Sequence, residues 1–150
     1  MNIVYNINQF NTDYVYLCEP IKNNIMSEGT FIRILYSTSL FTMTGVYLYV
    51  PFYAIQIEKY YNKYKCTFDM DIHKDIINQI KSIEESILNK ISIPNKLATY
   101  KIYEQFKTGN IKIFSESIDK IKNVFMLKIS GIWETDTQYG VTYKFSNITN

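Results

Sequence analysis

The chain has 150 residues, of which 47% are hydrophobic and 20% are charged, and its formal net charge at pH 7 is +2. A chain of this length buries enough apolar surface to fold without disulfides or metals, and its composition excludes an intrinsically disordered protein. The charge neither requires nor excludes a polyanionic partner. We therefore expect a single domain over residues 1–150.

Aromatic residues are frequent, with 14 Tyr, 9 Phe and 1 Trp, and they accompany many Ile, Asn and Lys residues. This combination is typical of AT-rich coding, so the positions of Lys and Tyr clusters are more informative than their totals. The two cysteines, Cys18 and Cys66, are far apart and predict neither a disulfide framework nor a zinc site.

The first half of the chain predicts strands separated by turn signals. The residues up to about position 16 alternate loosely and predict a short strand, and the segment CEPIKNN predicts a loop. Residues 30–36 alternate strictly, as a strand does. Residues 41–50 predict a second strand, in which Gly45 marks a bulge or a sharp bend.

A third β segment follows at residues 54–68, with Asn62 as a hairpin turn or a bulge. Isoleucine then recurs every three or four residues over residues 72–91, which predicts an amphipathic helix of about five turns. Asp69 or Asp71 is expected to cap its start. Its outer face is predicted to carry Lys81, Glu84 and Glu85.

A second helix is expected after Pro94, because proline ends the first helix. Asn95 is expected to cap this second helix, and Gly109 is expected to end it. The remaining predicted strands are residues 111–114, 124–130 and 139–145. The last two are joined by the hairpin GIWETDTQYG.

This order of elements predicts an α+β fold. Three antiparallel strands, a helix and two further strands are the order of the OB fold, a small Greek-key barrel that commonly binds oligonucleotides. We therefore expect an OB-like small antiparallel barrel, with one long helix and a second helix inserted between strands three and four. The fold class alone does not determine the function, which depends on the residues of the binding site.

The sequence offers little support for catalysis. His73 is the one histidine, and it lies among aspartates at the expected helix start, where aspartates serve as caps. The carboxylate pairs Glu84-Glu85 and Glu134-Asp136 are expected on a solvated helix face and at a hairpin tip. No glycine-rich phosphate loop and no HExxH motif is present. We predict that the chain is not an enzyme and holds no cofactor and no metal.

The first candidate cluster is KYYNKYK, residues 59–65, in which lysines are interleaved with tyrosines. Proteins that bind single strands combine cations, which attract phosphates, with aromatic rings, on which bases stack. The competing interpretation is a strand of β-formers whose lysines protect a sheet edge. The candidate binding residues are Lys59, Tyr60, Lys63, Tyr64 and Lys65.

The second candidate cluster is the C-terminal hairpin, KISGIWETDTQYGVTYKF. In OB folds the loop between strands four and five is one of the loops that bind the ligand. Trp133 is interpreted either as a stacking platform or as a plug for the barrel end, and Glu134 and Asp136 disfavour phosphate contact at the tip itself. The further candidate binding residues are Arg33, Lys128, Trp133, Tyr143 and Lys144.

Three segments of the chain resemble known proteins: KISGIWETDTQYGVTYKF, CEPIKNNIMSEGTFIRILYSTSLFTMTGVYLYV and YKIYEQFKTGNIKIF. They resemble single-stranded DNA-binding-like and uncharacterised proteins of large nucleocytoplasmic DNA viruses, and AT-rich coding agrees with such a source. The resemblance implies an OB-fold protein of the phage replication type that coats single strands during viral DNA synthesis.

These observations predict binding of single-stranded DNA or RNA on a basic and aromatic barrel face, with viral replication proteins as further partners. The alternative is a protein-interaction or virion-assembly module, because Tyr and Trp are also favoured at protein interfaces. No secretory signal opens the chain and no segment is apolar enough to span a membrane. We expect an intracellular protein, in the cytoplasm, the viral factory of an infected cell or the nucleus.

Overall fold

The structure is a computed structural model that describes residues 3–23, 29–115 and 124–147. Within these ranges the chain forms two α-helices and a twelve-stranded sheet. The helices are α1 (Lys74–Ile91) and α2 (Lys101–Lys107). The strands are β1 (Tyr5–Asn6), β2 (Val15–Leu17), β3 (Ile21–Asn23), β4 (Gly29–Ser37), β5 (Thr42–Thr44), β6 (Val46–Pro51), β7 (Ala54–Tyr60), β8 (Lys63–Phe68), β9 (Leu97–Ala98), β10 (Asn110–Phe114), β11 (Val124–Glu134) and β12 (Gln138–Asn147).

The sheet is open and mixed, so the predicted OB-like barrel is wrong. Its main path runs β1-β6-β11-β12-β10-β8-β7, and no pairing among the described residues joins β7 back to β1. β4 pairs with the end of β11 and itself carries β2, β3 and β5. An OB barrel is closed or nearly closed and antiparallel, whereas β1 is parallel to β6 and β10 is parallel to β12. The fold is therefore mostly β, with two helices in its described part, rather than a small α+β barrel.

Gly45 divides the predicted second strand between two parts of the sheet. Its φ of +107° lies in a region that residues with side chains rarely adopt, so the chain can turn sharply there. β5, before the turn, pairs with β4, and β6, after it, pairs with β11 and β1. The bend expected at Gly45 is confirmed, but it separates one predicted strand into two strands with different partners.

Two hairpins agree with the turn signals in the sequence. β7 and β8 are antiparallel and meet at Tyr61 and Asn62, which confirms the predicted turn. β11 and β12 are also antiparallel, but pairing continues to Glu134 and resumes with Tyr139, so most of the predicted connecting segment is strand. A β-bulge at Ser130 shifts the register within this second hairpin.

The long isoleucine-rich helix is confirmed as α1, but its predicted cap is wrong. His73 occupies the position before the helix and makes no side-chain capping bond. Asp69 instead accepts hydrogen bonds from the backbone N–H groups of Asp71 (2.8 Å) and Ile72 (3.4 Å), in the turn that precedes the helix. The buried apolar residues of α1 are Ile77, Ile80, Ile83, Ile87 and Leu88.

Glu84, which was expected on the solvated face of this helix, is buried instead. Its carboxylate accepts hydrogen bonds from the backbone N–H groups of Ile102 (3.0 Å) and Tyr103 (3.1 Å), in the first turn of α2. The first N–H groups of a helix have no partner within it, and Tyr100, the residue before α2, makes no side-chain capping bond. Glu84 therefore caps α2 from the neighbouring helix and ties the two helices together.

The second helix begins later than predicted. It starts at Lys101 rather than after Asn95, because Leu97–Ala98 form β9, which pairs in parallel with β12. Gly109, with a φ of +82°, ends the helix as expected. β10 follows at once and confirms the strand predicted at residues 111–114.

The core lies between the helices and one face of the sheet. Phe106 of α2 contacts Phe145 of β12, with ring centroids 5.6 Å apart. Because side chains alternate along a strand, the residues between the buried ones point to the opposite face, away from the two helices. The buried strand residues include Leu48, Cys66, Ile111, Ile113, Leu127, Ile129 and Phe145.

The buried Glu84 carboxyl predicts a pH-dependent stability. Burial raises its pKa from the usual 4.5 to about 7, although the backbone hydrogen bonds from Ile102 and Tyr103 lower it. The folded chain holds this proton more tightly than the unfolded chain. The contribution of Glu84 to the free energy of unfolding is therefore full below pH 4.5 and is lost as the pH rises through about 7. The loss amounts to roughly 3–4 kcal/mol, at about 1.4 kcal/mol for each pKa unit.

Glu84→Gln removes this ionisation, so we expect its free energy of unfolding to fall less than that of the wild type between pH 4.5 and pH 7. Urea titrations across this range measure the difference. Glu85→Gln is the matched control, because Glu85 is partly exposed beside Lys81, and it should keep the wild-type pH dependence. Parallel curves for the wild type and Glu84→Gln would show that Glu84 is not the group responsible.

Candidate nucleic-acid interface

The sheet face that points away from the helices carries lysines from four neighbouring strands. On β10, Lys112 lies between the buried Ile111 and Ile113, so its side chain points to the opposite face. The same alternation places lysines of β8, β11 and β12 on that face. We call this whole surface the lysine face, and its lysines are Lys63, Lys65, Lys112, Lys128 and Lys144.

The register sets lysines of this face directly opposite one another. Lys112 pairs with Lys65, and Lys128 pairs with Lys144. Like charges in such positions destabilise an antiparallel pair, by up to about 1 kcal/mol. Within the described ranges, Lys65 alone among these lysines has an ion pair, with Glu58 at 3.9 Å. Both side chains of that ion pair are partly exposed, so it offsets little of the repulsion.

Two tyrosines lie beside lysines of this face. The Lys112 ammonium is 4.4 Å from the centroid of the Tyr60 ring, and the Lys128 ammonium is 5.5 Å from that of Tyr47. Tyr60 is 40% exposed, whereas Tyr47 is 7% exposed. Tyr60 can therefore contact a ligand, while the Tyr47 ring mainly supports the Lys128 side chain.

Phe114, at the end of β10, is approached by two lysines. The ammonium of Lys63 is 4.7 Å from the ring centroid and that of Lys144 is 5.1 Å from it. The Phe114 side chain is 39% exposed. Lys112 and Phe114 do not stand out in the sequence, because their alternation with isoleucine shows that they share a face but not which strands lie beside them.

The two candidate clusters of the sequence meet on the lysine face. They are far apart in the chain, and β10 joins them because it pairs with β8 on one side and with β12 on the other. Lysines and exposed aromatic rings therefore share one surface, which is the arrangement that single-strand binding requires. The residues predicted from the sequence that come together here are Tyr60, Lys63, Lys65, Lys128 and Lys144.

Three other predicted residues belong to the helix side of the sheet. Lys59 and Tyr64 are paired with each other, and Tyr64 is also paired with the buried Ile113. The hydroxyl of Tyr143 donates a hydrogen bond to Oε1 of Gln105, in α2, at 2.9 Å, and burial raises the pKa of Tyr143 to about 12. These side chains are not part of the lysine face.

Arg33 and Trp133 lie towards the turn of the β11–β12 hairpin, on the turn side of the bulge at Ser130. Arg33 is exposed and pairs with Gly131. The Trp133 ring packs over Gly140, where an added Cβ would lie 2.8 Å from the nearest ring atom. Because the sheet forms no barrel, Trp133 is not a barrel plug, and its half-buried ring covers the sheet instead.

Glu134, which was expected at the hairpin tip, ends β11 and is bound by two partners. Its carboxylate accepts hydrogen bonds from Oγ1 of Thr30 (2.8 Å) and from Nζ of Lys96. The hydrogen bond from Lys96, together with that from Thr30, holds the pKa of Glu134 below its usual range. Lys96 therefore neutralises this carboxylate.

The histidine is packed in the core. The Nε2 atom of His73 accepts a hydrogen bond from the backbone N–H of Tyr53 (3.0 Å), so Nδ1 carries the proton and donates to the carbonyl oxygen of Asp69 (2.7 Å). Both ring nitrogens are therefore used, and Phe52 and Phe68 pack against the ring. Among the described residues, no three His, Cys, Asp or Glu side chains are grouped so as to hold a metal ion.

Comparisons with known proteins leave the function open. No protein-family model, curated protein or solved structure matches this chain. The resemblance to viral single-strand-binding proteins therefore stays a prediction. Neither of the described helices is both long and apolar enough to cross a membrane.

The opposed lysines predict that a charge reversal stabilises the free protein. In Lys144→Glu the new carboxylate lies opposite Lys128, so a repulsive pair becomes an attractive one. We expect the free energy of unfolding in low salt to rise by about 0.5 kcal/mol. The gain should disappear in concentrated salt, which screens the charges. Chemical denaturation at low and high salt measures both effects.

The matched control for this charge reversal is Lys59→Glu. The residue across from Lys59 is Tyr64, so no repulsive pair is removed and no comparable gain is expected. If Lys144→Glu were less stable than the wild type in low salt, the opposed lysines would not be a source of strain.

Proposed function

We propose that this chain binds single-stranded nucleic acid, DNA or RNA, on the lysine face. The observation that carries the proposal is the direct opposition of Lys112 to Lys65 and of Lys128 to Lys144. Repulsion within these pairs is unfavourable in the free chain and is relieved when phosphates lie between them. Residues that weaken a fold locally are often those that serve its function.

The extent of the lysine face supports binding of a polymeric anion rather than of a small one. Its lysines come from β8, β10, β12 and β11, which are consecutive neighbours in the sheet. At about 4.8 Å between adjacent strands, these four strands span about 14 Å. A row of cations of this length fits successive phosphates of one strand better than a single phosphate group.

The aromatic rings of the face support binding of single-stranded rather than double-stranded nucleic acid. Tyr60 and Phe114 are each about two-fifths exposed on the same surface as the lysines. In a duplex the faces of the bases are stacked on one another and cannot reach such rings. In a single strand the bases are free to stack on aromatic side chains, whatever their sequence.

The edge strand β7 supports a second candidate function, that of a protein-interaction module. β7 ends the main path of the sheet, and Ile55 within it is 71% exposed. Tyr53 and Tyr61, which flank β7, are 64% and 83% exposed. An edge of this kind can accept an added strand from a partner protein. Binding of this type depends on the edge rather than on the lysines, so lysine variants separate the two candidates.

We infer the biological setting of the proposed activity from the sequence resemblance alone. That resemblance supports replication or repair of viral DNA inside an infected cell. The proteins that replicate viral DNA would then be partners of this chain.

The proposed function predicts salt-dependent binding of an oligothymidylate, measured by fluorescence anisotropy of the labelled strand. If every lysine of the face contacts one phosphate, the logarithm of the affinity should fall with the logarithm of the salt concentration with a slope of about −3.5. Titrations between ~50 mM and ~200 mM salt measure this slope.

The double variant Lys112→Glu/Lys144→Glu tests whether the lysine face is responsible. It exchanges both repulsive pairs for attractive ones, so the fold should be retained. We expect its affinity to fall at least about 10-fold and the slope to become shallower by about 1.4. The control Lys59→Glu/Lys74→Glu changes the net charge equally away from the face and should bind more tightly than the first variant. Equal affinity of the two variants, or no binding by the wild type in low salt, would contradict the proposal.

A further inference from the structure

Phe114 is the most unusual side chain of the lysine face. It is a large apolar ring with 39% of its surface exposed, on a strand in the interior of the sheet rather than at its edge. Lys63 on β8 and Lys144 on β12 both place their ammonium groups over this ring, at 4.7 Å and 5.1 Å from its centroid. An aromatic ring between two cations offers a stacking surface and charge partners at one place.

We propose that Phe114 is the platform on which one unpaired base stacks, with Lys63 and Lys144 binding the phosphates on either side of that nucleotide. The inference rests on the proposed function and adds to it the position at which a base is held. Because the two lysines lie on the strands that flank β10, the bound nucleic acid crosses the β-strands from β8 towards β12 rather than following one of them.

The exchange of an ammonium for a base on the ring is favourable. A cation over an exposed aromatic ring contributes only a few-fold to an equilibrium. A base stacked on an aromatic side chain contributes about 10-fold to 100-fold in affinity. When a base displaces an ammonium from Phe114, the lysine is released beside the strand, where it can pair with a phosphate. The lysines therefore shield the ring in the free chain and bind the backbone in the complex.

The other rings of the face are less suited to this role. Tyr47 is 7% exposed and cannot offer a full ring face. Tyr60 lies on the edge strand β7, where the adjacent Tyr61 ring meets it edge-on with centroids 4.8 Å apart. Phe114 has a lysine over its ring from each neighbouring strand. It also has no polar atom, so stacking on it does not select one base over another.

The experiment compares two ligands with the same phosphates, an oligothymidylate and an abasic oligomer of equal length. In Phe114→Leu the side chain stays apolar but loses its aromatic face. We expect the variant to bind the oligothymidylate about 10-fold more weakly than the wild type does, and to bind the abasic oligomer as the wild type does. Phe114→Trp keeps an aromatic ring at this position, so it should bind the oligothymidylate about as tightly as the wild type does. Tyr16→Leu is the control, because Tyr16 is an exposed aromatic residue of β2, outside the lysine face.

The outcomes separate the inference from the proposed function. If Phe114→Leu weakens binding of both oligomers equally, the ring only holds the lysines in place and the stacking role is overturned. Unchanged binding of both oligomers overturns it as well. If the wild type binds neither oligomer, the proposed function itself fails. A loss confined to the oligothymidylate supports the assignment of Phe114 as the base platform.

Discussion

The register of the long β11–β12 hairpin determines which side chains of the central strands face the helices and which face outwards. It places Leu127 opposite Phe145 against the helices, and thereby places Lys128 opposite Lys144 on the other face. A slip of one residue would exchange the two faces of the strand. Burial of each apolar side chain contributes about 1.5–3 kcal/mol, whereas each lysine pair costs at most about 1 kcal/mol. The core therefore decides the register, and the lysines are held in opposition as a consequence.

β10 extends this constraint across the sheet, because it pairs with β12 in parallel and with β8 in antiparallel fashion. Its isoleucines face the helices, so Lys112 and Phe114 must face outwards beside the lysines of β8 and β12. α2 precedes β10 in the chain and is held by the Glu84 carboxylate at its first turn. A buried capping interaction on one side of the sheet therefore helps to fix the strand that joins the two halves of the basic surface on the other side.

Local features could be predicted from the sequence, and contacts between distant segments could not. The 3.6-residue period revealed α1, and the bend at Gly45 and the turn at Asn62 were recognised from residue type. The predicted strand arrangement was wrong, because the strands before and after Gly45 pair with different strands. No local sequence pattern specifies this pairing. The burial of Glu84 was missed because its partners lie 18 and 19 residues further along the chain. Phe114 was missed for the same reason, since its environment is formed by strands that are distant in sequence.

Photo-crosslinking locates a bound single strand directly and so tests whether it lies across the lysine face. An oligothymidylate that carries photoreactive thymidine analogues is irradiated in complex with the protein, and mass spectrometry locates the crosslinked residues. We expect crosslinks in β8, β10 and β12 at outward-facing positions, with Phe114 among them. Crosslinks concentrated on α1 and α2, or on the β7 edge alone, would contradict it.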